Sequence, residues 1–394
     1  VSAVALDIRE RASEAFAKLG WPTPRVEEWR YTNLAPLQRV SWKTDDDTQP
    51  TESDASMAGR AAHEWIFVSG RQVSGADAYA TSQEPGRWAD VERNALVALN
   101  TMHMQDGARI EIPANEVVDG FLHLLFIGSG DGIWSHPRNL VVVGRNAQVT
   151  IVETYVGTGK YFTNAVTEIV AGDGAVVDHY RIECESLEAY HVGNVFIHEE
   201  RAANVTSRSI VIGAALARSE THVALAGEGA SIALDGLFAG TGTQHLDNRT
   251  VIDHIKPHCE SLELYKGVLD QHARGVFDGR IIVRPDAQKT VSRQENRNLL
   301  LSESAIVDSK PTLEIHNDDV KCNHGSTIGQ IEQEPLFYLR SRGIGEDEAR
   351  SLLIYAFASE IVDRMKIEPV REQIRRSLFQ LMPERLPERR GGTR

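Results

Sequence analysis

Apolar residues in the first twenty positions return every three or four places, at Val4, Ile8, Ala12, Ala15, Phe16 and Leu19. That period marks one face of an α-helix. Gly20-Trp21-Pro22 ends it, because glycine favours termination and proline cannot continue a helix. The stretch 44–60 has three consecutive aspartates among Thr, Gln, Pro, Ser and Gly and reads as an exposed acidic loop. A second helix is expected around 88–104. Near 110 the pattern changes to short Val- and Ile-rich runs separated by Gly, Asn and Asp, so helix gives way to strand.

The middle of the chain repeats. A small residue opens each strand, at Ala147, Ala175, Ala203, Ala230, Cys259 and Ala287, with spacings of 28, 28, 27, 29 and 28. Asn146, Gly174, Gly229, His258 and Asp286 precede five of them, which is turn chemistry at a constant phase. A near-constant period of strands and turns without helices predicts a solenoid, and a parallel β-helix over roughly 115–333 fits best. The six small residues are expected to stack along one edge. Propeller blades need a period of roughly 40 to 50. From 334 the pattern is helical again: Leu353, Phe357 and Ile361 line one face, Ala349, Leu352 and Ala356 flank it, and a second helix covers 370–382. The organisation expected is a helical region at 1–114, the β-helix core at 115–333, a helical domain at 334–382 and a disordered tail at 383–394. Removing 345–394 is expected to leave the β-helix folded.

Charge narrows the function classes. The 394 residues contain 42 Lys+Arg against 56 Asp+Glu, a net charge of -14, which disfavours a nucleic-acid partner. The longest apolar runs, such as 121–128, fall far below the roughly 18 residues of a membrane span. Asp7 and Glu10 stand where a secretory signal would be basic and then apolar, so a cytoplasmic location is expected. Cys184, Cys259 and Cys322 are odd in number, widely spaced and without CxxC, against both a disulfide framework and a self-contained zinc site.

The densest chemistry lies in 312–329, where His316, Asp318, Asp319, Cys322 and His324 fall within nine residues. Cys322 and His324, two apart, share one face of an extended strand. Thiolate and imidazole suit iron, zinc and copper. The same spacing also fits a polar strand end with a packed cysteine and a backbone-bonded histidine. Cys259 occupies the register that alanine fills in other repeats and reads as core. Cys184, among Glu183, Glu185 and Glu188, reads as inert because negative neighbours raise a thiol pKa. No HExxH, GxxxxGK[ST] or GxGxxG in a strand-to-helix context occurs, so nucleotide hydrolysis by this chain alone is not expected.

Residues 311–329, Pro-Thr-Leu-Glu-Ile-His-Asn-Asp-Asp-Val-Lys-Cys-Asn-His-Gly-Ser-Thr-Ile-Gly, resemble the signature of the SufB/SufD family of the SUF iron–sulfur cluster assembly system, on its SufD side. Gln294-Glu-Asn-Arg-Asn-Leu-Leu-Leu-Ser302 and Glu28-Trp29-Arg30-Tyr31-Thr32 resemble the same family. The resemblance runs the length of the chain, strongest over 275–335 and weakest over 40–110, with small departures at Asn323 and Ser326. It implies a mainly β fold, a right-handed parallel β-helix flanked by helical regions. It implies a non-catalytic scaffold subunit that pairs with SufB through the β-helix end near 310–330 and binds the ATPase SufC through helices at 345–382. It further implies a transient iron–sulfur cluster at the SufB–SufD interface, none being bound by the isolated chain, with His324 and Cys322 as its metal-binding residues here. Self-pairing through the same surface where SufB is absent stays open. Most iron–sulfur sites use four protein ligands, largely thiolates, so one plausible thiolate and one imidazole leave a partner to complete the set. Two alternatives are a purely structural partner of SufB and SufC, and a carbohydrate-active β-helix enzyme. The latter needs paired carboxylates facing a groove, whereas the sequential Asp318 and Asp319 point to opposite faces.

Overall fold

Strands of 8 to 11 residues alternate between two sheets through most of the region from Leu122 to Gly329. Among the described residues the first sheet has ten strands, running from the antiparallel pair His63–Val68 and Arg71–Ser74 to Lys321–Gly329. The second has nine, from Arg109–Ile112 to Ile306–Ile315. The strand Leu122–Ser129 pairs in parallel with Gln148–Thr158, and from Gln148–Thr158 onward each strand of the first sheet pairs in parallel with the one two places along the chain. This is a parallel β-helix with helices at both ends of the chain. The computed structural model describes residues 3–44, 55–57, 59–76 and 78–381, so most of the acidic loop and the 383–394 tail lie outside the described residues.

The repeat has a backbone cause. Asn146, Gly174, Ala202, Gly229, His258 and Lys289 all have φ between 56° and 72°, a left-handed turn that brings each strand back onto the stack. The next residue is then buried against the core: Ala147, Ala175, Ala203, Ala230, Cys259 and Thr290. The first five fall where the sequence pattern put them. The sixth does not. Ala287 is buried and its N–H closes a turn on the Arg284 carbonyl, but the left-handed residue is Lys289, two positions further on. Strand register therefore falls on Thr290, and Ser261 pairs with Ser292.

Helices cover the outer face of each sheet. On the second sheet, α1 (Ala3–Leu19), α2 (Ala35–Gln38) and α3 (Ala95–His103) form one layer, with Leu34, Leu37, Leu96 and Leu99 against Phe162, Val192 and Leu216. α3 is shorter than the expected 88–104. The Gly86 and Trp88 amides donate to the Glu168 carboxylate at 2.6 and 2.8 Å, and Asn94 caps the helix by accepting from the Leu96 and Val97 amides. Strand also begins earlier than 110, with the His63–Val68 pair. The Glu28–Thr32 motif straps this layer down. Arg218, fully buried, places its guanidinium 3.7 Å from the Trp29 ring centre and donates to the Glu28 carbonyl at 2.8 Å, while Thr32 Oγ1 donates to Asp247.

On the first sheet lie α4 (Gln333–Ser341), α5 (Glu346–Val362) and α6 (Glu368–Leu381). Ile354, Ala358 and Ile361 of α5 and Val370, Ile374 and Leu378 of α6 pack on Tyr180, Ile182, Ile210, Leu237 and Leu264. The stripe buried on α5 runs through Ala349, Ile354, Ala358 and Ile361; Leu353 and Phe357 sit at its margin, half-buried. Sheet and α6 together cover the sector centred on Ile354, so the helix is turned from the face its apolar spacing suggested. α4 buries Leu336 and leaves Phe337 and Tyr338 72% and 56% exposed.

Candidate functional site at the open end of the solenoid

Side chains alternate along a strand, so in Val291–Leu300 the even-numbered residues Ser292, Gln294, Asn296 and Asn298 face the solenoid interior, all buried. The last strand pairs with it residue for residue: Cys322 beside Ser292, His324 beside Gln294, Ser326 beside Asn296. Cys322 and His324 therefore share the inward face of the last coil. Among the described residues no further coil stacks on them; Lys321–Gly329 and Ile306–Ile315 are the edge strands of their sheets. His324 is exposed, and no described residue hydrogen-bonds its ring. Cys322 is half-buried and, like Leu313 and Val320, packs against the end of the core. A cavity of about 580 Å³ opens here, lined among others by Gln294, Asn296, His324 and Ser326.

Two polar rows run inward from these residues. Behind Cys322, Ser292 and Ser261 hydroxyls are 2.7 Å apart, and His254 Nε2 lies 2.9 Å from Ser261 Oγ. Behind His324, Gln294 Nε2 donates to Glu263 Oε2 at 2.6 Å. The next coil closes both rows with Ile232 beside Ser261 and Leu234 beside Glu263. Burial pushes His254 down to about 4, keeping it neutral, and pushes Glu263 up to about 7. Burial also raises the Cys322 thiol, so at neutral pH it is protonated until something takes the proton.

The other polar residues of 312–329 are drawn off. His316 Nε2 lies 3.0 Å from Glu314, and Asp319 pairs with Lys289 at 2.7 Å. Cys259 is buried in its corner and donates to the Gly227 carbonyl at 3.3 Å. Cys184 is pushed up to about 11, by burial first and by Glu183 and Glu185 after it, where the sequence had suggested charge alone. Among the described residues no three His, Cys, Asp or Glu gather to hold a metal. Cys322 and His324 are thus two donors at an open mouth. The polar row of Gln294 and Glu263 escaped the sequence reading, although polar residues at every second position of an expected core strand were its visible signal.

Residues 126–357 match the SufBD core domain of the SUF system for FeS cluster assembly. The chain belongs to the SufBD family. It is 32% identical to a SufBD family iron–sulfur cluster assembly protein of Synechocystis, over 93% of this chain and 89% of that one. It is 29% identical to the iron–sulfur cluster assembly protein SufD of Escherichia coli, over 94% and 91%, and 28% identical to SufD of Bacillus subtilis, over 93% and 92%. In this SufBD protein the matched span contains the whole inward row and both terminal donors, and the N-terminal strap lies outside it.

Proposed function

We propose that this chain is the SufD-type subunit of a cluster-assembly scaffold, pairing through its open solenoid end with a SufB-type partner and binding the ATPase SufC through its C-terminal helices. The observation that carries the reading is the placement of Cys322 and His324 on the inward face of an uncapped last coil. Solenoids need capping repeats, and exposed sheet edges pair with other chains, so this end calls for a partner. The substrate is a nascent iron–sulfur cluster, held transiently between the two subunits rather than by this chain alone. The neutral imidazole of His324 offers a lone pair to iron, and the partner supplies the remaining donors. Cys322 has two roles open to it: once deprotonated it ligates iron, or it packs against the partner, as its place on the apolar end of the core favours. ATP hydrolysis belongs to SufC, and this chain turns over no substrate of its own. The exposed Phe337 and Tyr338 of α4 extend the SufC-binding surface beyond the helices at 345–382. The site of action is the cytoplasm, and in the absence of SufB the same open end accepts a second copy.

Co-expression with SufB and SufC, followed by iron and sulfide analysis of the purified complex, tests this reading. His324→Ala is expected to leave the complex intact and to abolish cluster formation. Maturation of iron–sulfur enzymes at the wild-type level by that variant would overturn it. Cys322→Ser keeps the volume and removes the soft ligand; unchanged iron content would assign Cys322 to packing.

A further inference from the structure

A histidine that ligates a metal through one ring nitrogen is held by a hydrogen bond from the other, and that second contact sets which nitrogen carries the lone pair. The exposed His324 ring makes no such contact with any described residue. Directly beneath it in the ladder, one strand spacing of roughly 4.8 Å away, lies Gln294. Gln294 is fully buried, its Nε2 is tied to Glu263, and its Oε1 has no hydrogen-bond partner among the described residues. A buried amide oxygen left unpaired is costly, so its position beside the last coil favours a donor there. The surrounding wall is shaped for this amide. A Cβ added at Gly279, on the opposite sheet, would stand 2.3 Å from Gln294 Nε2 and 2.7 Å from the Phe277 ring, so only glycine leaves the amide its place.

We propose that Gln294 is the positioning residue of His324: its buried Oε1 accepts the N–H of one imidazole nitrogen and thereby turns the lone pair of the other out of the solenoid mouth. Glu263 anchors the amide from below. Above pH 7 its carboxylate only accepts, so Nε2 must face Glu263 and Oε1 is left for His324. The inference rests on the proposed role of His324 in what it means for the cluster, but the tether itself needs no cargo, only a turn of the exposed His324 ring toward the unpaired Gln294 Oε1.

The test is long-range 1H–15N correlation of the His324 ring in the full-length chain at pH 8, assigned by its loss in His324→Ala. A single neutral tautomer is expected in the wild type. Gln294→Met, which fills the volume without an acceptor, is expected to give a mixture of tautomers, and Gln294→Glu, which keeps an acceptor, to restore the single form. Gly279→Ala retains every polar group while displacing the amide and is expected to act like Gln294→Met, which keeps the test usable if the methionine variant misfolds. In the complex with SufB and SufC, Gln294→Met is expected to lower iron retention by about tenfold or more. A tautomer mixture in the wild type, or an unchanged single tautomer in both Gln294→Met and Gly279→Ala, would overturn the tether. If His324→Ala leaves cluster content unchanged while the tautomer responds as stated, the tether stands and the cluster role of His324 falls.

Discussion

Buried titratable residues give the single side chain leverage over stability. His136, fully enclosed beside His103, is pushed down to about 3 and His254 to about 4, both by burial. Their native pKa values lie below the unfolded value near 6.5, so the unfolded chain binds more protons and stability falls as pH drops through 6.5 toward those values. At pH 5 each contributes a loss of about 2 kcal/mol. His136→Phe is expected to remove about that much of the difference between the unfolding free energies measured by urea at pH 7 and pH 5. Glu263 has the opposite sign. Its carboxyl is raised to about 7, so its stabilising neutral form is fully present below its unfolded pKa and lost as pH rises from about 4.5 to 7. Glu263→Gln is therefore expected to be more favourable at pH 8 than at pH 5 by about 2 to 3 kcal/mol, read from urea unfolding at both values.

Among the elements, the coil corner is the unit that the chain repeats. Five of its six small residues were legible from spacing alone, because a left-handed turn followed by a core-facing position leaves a trace of turn residue and then Ala or Cys. The sixth was misplaced because Asp286-Ala287 repeats that trace while the left-handed residue is Lys289. Register here is a matter of backbone conformation, which residue type marks only loosely. Lys289→Gly is expected to stabilise by up to about 1 kcal/mol by relieving a non-glycine residue in the left-handed region, its exposed pair with Asp319 being worth little. Asp286→Gly has no positive φ to relieve and is expected to be neutral or destabilising. Thermal denaturation of the two variants distinguishes the registers. Helix α5 makes the same point from the other side: its length was readable, but the buried face was settled by the sheet and α6 lying against it.

The molecule is a two-sheet solenoid covered on one broad face by the N-terminal layer and on the other by α4 to α6, with one end left open. The C-terminal helices are not an appendage. Tyr180, Ile182, Ile210, Leu237 and Leu264 on the first sheet rely on them for cover, so removing 345–394 is expected to yield an aggregating chain rather than the folded β-helix that the sequence suggested. Size-exclusion chromatography of the truncated protein checks this. Phe337→Ser with Tyr338→Ser touches only exposed side chains and is expected to weaken SufC binding at least tenfold while leaving unfolding within about 0.5 kcal/mol of wild type.

At that same scale, sequence alone determined the period, the class of fold and the pairing of Cys322 with His324, because each depends on spacing along a strand. The family signature in 311–329 and 294–302 was also local. The mouth of the solenoid was decided only in three dimensions. Gln294 and Glu263 lie 30 and 61 positions before His324, and they become its neighbours because successive coils place residues about one period apart side by side. The Glu28–Thr32 motif likewise found its partners, Arg218 and Asp247, some 190 and 215 residues away. Periodicity reports which face a residue occupies; which residues stand above, below and opposite it depends on register, and register is set by the turns and the packing of the whole stack.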